Sequence, residues 1–101
     1  MMMYFEFNEH KLKQNNLTQE QCFRIIDKVM NEYGIYANQP GTYIASYESG
    51  FNAFSILKCN LPKTKWFLKV IENWFWFDDE DDIDWNDEGA DCIHSIQKYG
   101  K

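Results

Sequence analysis

The stretch WFWFDDEDDIDW, residues 74–85, places four consecutive aromatic residues directly before a run of acids. Residues 78–91 contain nine of the sixteen acidic residues of the chain and none of its ten lysine and arginine residues. This segment therefore carries a charge of −9 and the rest of the chain +3, although the net charge of the whole is −6. Solubility alone does not require charge to be concentrated in this way.

The aromatic half of this stretch, residues 74–77, has two possible conformations. A helix can begin at Leu61-Pro62, because proline is tolerated in the first turn, and apolar residues then recur at helical spacing to Trp74. If that helix continues through Phe77, Trp76 lies among polar residues and is exposed. If it ends near Asn73, residues 74–77 can form a strand instead. The periodicity leaves both possibilities open.

A helix is predicted from about Gln19 to Tyr33. Thr18 is a suitable N-cap, and Gln21 three residues later completes a capping box. Gly34 is placed to end the helix as its C′ residue. The apolar residues that follow at helical spacing predict the buried stripe: Cys22, Ile25, Ile26, Val29, Met30 and Tyr33.

An antiparallel β-hairpin is predicted over residues 42–58, with a two-residue turn at Ser49-Gly50 that pairs Glu48 with Phe51. One face then carries Tyr43, Ala45, Tyr47, Phe54 and Ile56, and the other carries Ile44, Phe51, Ala53 and Leu57. Neither face is polar. We therefore expect helices to cover one face and leave the other for a partner.

The remaining elements complete an α+β fold. Met3–Phe7 alternates in polarity and can add a third strand, with Met3, Phe5 and Phe7 on one face. A C-terminal helix is predicted after a cap at Asp84 or Asn86, with a stripe of Ala90, Ile93, Ile96 and Tyr99. The sequence thus predicts one domain, residues 1–101, in which a central hairpin is packed by about three helices and an acidic loop spans residues 78–88.

The composition favours a folded, soluble protein of the cytoplasm. Hydrophobic residues make up 45% of the 101 residues and aromatic residues 18%, which argues against disorder. Three cysteines without CxxC spacing, and no preceding secretory segment, indicate a reducing compartment. No apolar run approaches the roughly 20 residues that a membrane-spanning helix needs.

Catalytic and metal-binding motifs are not recognised in the sequence. An EF-hand spacing counted from Asp84 fails, because Asp91 falls where an apolar residue belongs and Ser95 where the bidentate glutamate belongs. Cys92 and His94 are two residues apart, which on a helix separates their directions by about 200°. No phosphate loop or GxSxG elbow occurs. We therefore expect a protein that is not an enzyme and has no cofactor or dedicated metal, although weak Ca²⁺ or Mg²⁺ binding by the acids remains an option.

The combination of acids and aromatic residues predicts a surface that binds a basic protein. The proposed contacts are Asp78, Asp79, Glu80, Asp81, Asp82, Asp84, Asp87 and Glu88, with Trp76 and Trp85 as anchors. Aromatic side chains supply affinity at interfaces and charge supplies association rate. Duplex DNA carries one charge per ~1.7 Å of axis, so a protein surface dense in carboxylates can compete with DNA for a basic groove.

In size, charge and composition the chain resembles small acidic inhibitors of bacteria and phages. These are immunity proteins that neutralise nuclease toxins, and anti-CRISPR or anti-restriction proteins that mimic DNA. The resemblance implies an inhibitor of a nuclease or other nucleic-acid enzyme that contacts neither nucleic acid nor a membrane. The alternative is an adaptor whose contact surface is the hairpin, with Tyr43, Tyr47 and Phe51, and whose acids serve solubility. The sequence leaves the oligomeric state open.

Overall fold

The computed structural model of the chain describes residues 1–77 and 90–92. These residues form strands β1 (Met2–Phe7), β2 (Ala37–Gln39), β3 (Thr42–Ile44), β4 (Ile71–Phe77) and β5 (Ala90–Asp91), and helices α1 (Glu9–Gln14), α2 (Gln19–Glu32), α3 (Tyr47–Asn60) and α4 (Phe67–Val70). A 3-10 turn, Leu61–Lys63, precedes α4. The predicted α+β class is confirmed.

The described strands form one antiparallel sheet in the order β2-β3-β1-β4-β5. β1 is the central strand, and Met3 lies opposite both Tyr43 of β3 and Trp76 of β4. Met3, Phe5 and Phe7 are buried, and Glu6 is exposed, as the alternation predicts. The predicted N-terminal strand is therefore confirmed, and it lies at the centre of the sheet.

One face of the sheet, the inner face, is covered by helices and forms the core. Phe5 and Trp74 are stacked on it, with ring centroids 5.7 Å apart, and Phe67 of α4 meets Trp74 edge-on at 4.8 Å. Phe23 of α2 packs against Phe7 at 5.3 Å. The opposite, outer face carries the alternate residues of the central strands, which are partly buried: Met2, Tyr4, Phe75 and Phe77.

Helix α2 has the predicted caps. The Thr18 side chain accepts a hydrogen bond from the Gln21 amide, and the Gln21 side chain accepts one from the Thr18 amide. At its end Gly34 has a φ of 74°, and the Ile35 amide donates to the Met30 carbonyl at 3.0 Å, which is a Schellman closure. Cys22, Ile26 and Met30 are buried as predicted, whereas Ile25 is exposed.

The hairpin predicted over residues 42–58 is wrong, because residues from Tyr47 to Asn60 form helix α3. The Ser46 side chain accepts a hydrogen bond from the Ser49 amide at 3.4 Å and caps the helix. The buried residues of this helix have helical spacing: Gly50, Ala53, Phe54 and Leu57. A hairpin does form earlier in the chain, where β2 and β3 are joined through Pro40-Gly41.

The aromatic run Trp74–Phe77 belongs to strand β4, which is the second of the two conformations that the sequence leaves open. Helix α4 ends at Val70, and β4 then pairs with β1 from Ile71 to Phe77. The partner strand comes from the other end of the described chain. Periodicity within residues 61–77 carries no information about that partner.

The predicted C-terminal helix is wrong at Ala90–Asp91, which form β5 and pair with β4. Cys92, which follows, is helical and buried in the core. The remainder of this prediction, and the predicted acidic loop at 78–88, lie outside the described residues. No helix within residues 1–77 and 90–92 is long and apolar enough to cross a membrane.

Substitution of Gly41 tests how tightly the β2–β3 turn packs against β1. Gly41 has a φ of 87°, and a Cβ atom there would lie 2.5 Å from the Phe5 carbonyl oxygen. We expect Gly41→Ala to lower the free energy of unfolding by about 2–5 kcal/mol, through backbone strain and overpacking together. Urea unfolding followed by tryptophan fluorescence measures this.

Gly34→Ala is the matched control, because Gly34 has a φ of 74° but nothing within 4 Å of an added Cβ atom. It should cost only the left-handed backbone strain, about 1–2 kcal/mol. Equal losses in the two variants would contradict the close approach of Gly41 to Phe5.

Candidate functional site

Three strands terminate at the same end of the sheet. Met2, at the start of β1, lies opposite both Ile44, the last residue of β3, and Phe77, the last residue of β4. Helix α3 begins three residues after Ile44, at Tyr47. We call the residues at this end, which come from both faces of the sheet and from α3, the strand-end surface: Ile44, Tyr47, Phe51, Trp76 and Phe77.

The strand-end surface exposes large apolar side chains. Ile44 is 49% exposed, Tyr47 67% and Phe51 48%. Tyr47 and Phe51 are four residues apart on α3, and their rings are stacked with centroids 5.7 Å apart. The Phe51 ring also lies 6.2 Å from that of Trp76, which connects the exposed pair to the sheet. Aromatic residues exposed together in this way are typical of protein-binding surfaces.

Backbone hydrogen bonds hold the start of β1 against the segment before α3. The Ala45 amide donates to the Met1 carbonyl, and the Met1 amine donates to the Ala45 carbonyl, both at 2.9 Å. A Cβ atom at position 50 would lie 2.9 Å from the Met1 sulfur, so Gly50 allows the first turns of α3 to approach β1 closely. The exposed Tyr47–Phe51 pair is therefore carried by a helix that is fixed to the sheet.

The side chain of Trp76 is half-buried on the inner face, and is not exposed as it would be if a helix continued through Phe77. Its ring meets Phe54 edge-on at 5.8 Å, and the Lys58 ammonium lies 6.0 Å from its centroid. The physical reason is the strand alternation, which directs Trp76 to the same face as the fully buried Trp74. The exposed aromatic residues beside it belong to α3.

The acidic segment begins where β4 ends at the strand-end surface. Phe77 precedes Asp78, and Ala90 of β5 lies opposite Trp76, so residues 78–89 connect two paired neighbouring strands. These twelve residues contain eight acids. The flanking strands, β4 and β5, are hydrogen-bonded neighbours about 5 Å apart. The sequence predicted that a helix would hold the far end, and strand β5 holds it instead.

Most of the predicted contact residues lie outside the described part of the chain. These are Asp78, Asp79, Glu80, Asp81, Asp82, Asp84, Trp85, Asp87 and Glu88. Ile44 is an exposed residue of the strand-end surface that the sequence does not single out as a contact. The sequence does contain a signal for this surface. Ser46 is a suitable N-cap, and Tyr47 and Phe51, four residues apart, would lie on one side of the helix that it starts.

The alternative prediction placed Tyr43, Tyr47 and Phe51 on one hairpin surface, but only Tyr47 and Phe51 are exposed. Tyr43 is fully buried, and its hydroxyl donates a hydrogen bond to the Asp27 carboxylate. Burial, with a smaller contribution from Asp27, holds the pKa of the Tyr43 hydroxyl far above its usual range. Tyr43 is therefore a neutral core residue and cannot contact a partner, whereas Tyr47 and Phe51 can.

The thiols and metal-binding groups of the described residues are dispersed. Cys22 is buried, and burial raises the pKa of its thiol to about 11, so it is protonated at neutral pH. Cys59 is exposed, and His10 contacts Gln14 at 3.2 Å on the surface of α1. Within residues 1–77 and 90–92, no group of three His, Cys, Asp or Glu residues is placed to hold a metal ion.

Comparison of the chain with protein-family models, curated proteins and solved structures returned no match. The features that bear on function are therefore the exposed aromatic residues of the strand-end surface and the charge of the segment that leaves it.

Alanine substitution distinguishes the buried aromatic residues that support this surface from the exposed ones, because the two kinds differ in their effect on the free energy of unfolding. Phe54 is fully buried and packs against Trp76. We expect Phe54→Ala to lower the free energy of unfolding by about 3–5 kcal/mol, because a cavity is left in the core. Tyr47→Ala should change it by no more than about 0.5 kcal/mol, because Tyr47 is largely exposed.

Urea unfolding of the two variants measures both values. A large loss in Tyr47→Ala would mean that Tyr47 is a structural residue, and would remove it from the candidate contacts.

Proposed function

We propose that this protein is a non-enzymatic inhibitor that binds and occludes the basic groove of a nuclease or other nucleic-acid enzyme. The observation that carries the proposal is the position of the acidic segment. It leaves β4 at Phe77 and returns to β5 at Ala90, beside the exposed aromatic residues of α3. The acidic segment is thus attached to the sheet next to an exposed aromatic pair.

The first supporting argument is electrostatic. The eight acids of residues 78–89 equal the charge on about 14 Å of duplex DNA, which carries one charge per ~1.7 Å. A twelve-residue connection fixed at both ends reaches at most about six residues outward, or about 20 Å. A basic groove attracts such a charge from a distance and raises the association rate.

The second argument concerns affinity. Charge at the rim of an interface steers association, whereas buried aromatic residues supply most of the binding energy. Tyr47 and Phe51 are exposed near the end of β4, where the acidic segment begins, and their rings are stacked on each other. Because α3 holds them in place, little side-chain entropy is lost when a partner covers them. We assign them the anchoring role, beside Trp76 and Trp85.

A second candidate function follows from the same aromatic pair. The exposed Tyr47–Phe51 stack also suits an adaptor that binds a partner through α3, with the acids serving only solubility. In that case binding depends on the aromatic residues and is insensitive to the charge of the segment. The two candidates therefore respond differently to the same pair of substitutions.

Charge neutralisation tests the inhibitor. A partner is first captured from lysate on immobilised protein, eluted in steps of rising salt, and recaptured after nuclease treatment to exclude a nucleic-acid bridge. The purified partner is then assayed for DNA binding and cleavage with and without this protein. We expect inhibition, and we expect Asp79→Asn, Asp81→Asn and Asp82→Asn together to slow association by about tenfold or more at low salt.

The matched control removes three exposed acids elsewhere, through Glu9→Gln, Glu20→Gln and Glu32→Gln. It has the same net charge as the test variant, and its association rate should fall much less. Equal rates for the wild type and the test variant would contradict the inhibitor. If binding survives charge neutralisation but is lost in Phe51→Ser, the adaptor is the correct function.

A further inference from the structure

The exposed aromatic pair of α3 is one end of a longer series of rings. Tyr47 stacks on Phe51 at 5.7 Å with an angle of 25° between the rings, and Phe51 lies 6.2 Å from Trp76. The Lys58 ammonium lies 6.0 Å from the centroid of the Trp76 ring. A cation within about 6 Å of a ring centroid is attracted by the negative face of the ring. The Trp76 end of the series therefore already has a cation beside it.

The Tyr47 end of the series is open. Tyr47 is 67% exposed although one face of its ring lies against Phe51, so the other face is in contact with solvent. Helix α3 carries this ring, and the Ser46 side chain caps the first turn of the helix by accepting from the Ser49 amide. The protein thus presents a free aromatic face on a fixed element.

The chain segment attached near this pair is strongly acidic. Residues 78–91 follow β4 and end in β5, and they contain nine acids and no lysine or arginine. Glu48, in the first turn of α3, adds a tenth acid. Within residues 1–77, the cationic groups of this end are Lys58 and the Met1 amine, which donates to the Ala45 carbonyl. The N-terminus of α3 adds about half a positive charge. The acids outnumber all of these, so the charge favours a cation as the occupant.

A guanidinium suits a free aromatic face among acids better than an apolar group or an ammonium does. An apolar side chain over Tyr47 would bring no charge to the acids, and would remove water from those that it covers. An ammonium is compact and strongly hydrated, so packing on a ring costs it more hydration. A guanidinium is planar and weakly hydrated, stacks on aromatic faces, and still offers N–H donors to carboxylates. Arginine is therefore the side chain that matches both features.

We propose that the free face of Tyr47 binds an arginine side chain of the partner, and that this contact selects arginine over lysine. The guanidinium stacks on the Tyr47 ring and extends the series of rings that ends at Trp76 and Lys58. This arginine contact rests on the proposed function, because its basic partner is the one proposed there. It adds which basic residue of that partner binds the aromatic pair. A groove lined only by lysines would attract the acids but would not stack on the ring.

Two peptides of equal charge test the preference. Nona-arginine and nona-lysine, each labelled with fluorescein, are titrated with the full chain and followed by fluorescence anisotropy. Carboxylates alone also favour arginine, because a guanidinium binds them through two parallel hydrogen bonds. The quantity to compare is therefore the ratio of the two dissociation constants, which we call the arginine preference, in the wild type and in variants at position 47.

Two variants separate the aromatic face from the rest of the surface. Tyr47→Leu removes the face and keeps an apolar side chain, whereas Tyr47→Phe, the matched control, keeps the face. We expect Tyr47→Leu to lower the arginine preference by about two- to fivefold, which is the size of a cation–π contact at an exposed site. Tyr47→Phe should retain the preference, because a phenyl ring also attracts a cation. Tyr47 is largely exposed, so both variants should fold.

Three results would overturn the arginine contact. They are the absence of peptide binding, an arginine preference that is equal in the wild type and in Tyr47→Leu, and a preference that is lost in Tyr47→Phe as well. In the last case the hydroxyl group, and not the ring face, would select arginine. None of these results bears on whether neutralising the acids slows association with the captured enzyme, so the inhibitor and the arginine contact fail separately.

Discussion

The pairing of β1 with β4 is the interaction on which the rest of the structure depends. It joins residues about 70 positions apart in the sequence and places Phe5 against Trp74 on the inner face. β3 pairs with the other side of β1, and β5 with the other side of β4, so this pair joins the two halves of the sheet. The cost of closing so long a loop is offset only when the aromatic side chains pack. The two central strands, β1 and β4, are therefore rich in aromatic residues.

The same pairing explains which parts of the fold could be predicted. The ends of α2 are set by local chemistry at Thr18 and Gly34, and local chemistry is readable from the sequence. The conformation of Trp74–Phe77 is set by β1, and apolar residues on both faces conceal the strand period. In α3, Gly50 was interpreted as a turn residue. Gly50 is instead buried in α3, where it packs closely against Met1. This contact is between residues far apart in the sequence, so the local sequence does not reveal it.

The strand-end surface follows from these constraints. In the sequence, the acids closely follow Trp76, which suggests that this side chain reaches a partner together with the acids. Strand alternation instead directs Trp74 and Trp76 inward, and α3 supplies the exposed aromatic residues at the same end. The aromatic residues exposed beside the end of β4 were thus only partly predictable from the sequence. Tyr47 and Phe51 had been assigned to the wrong element.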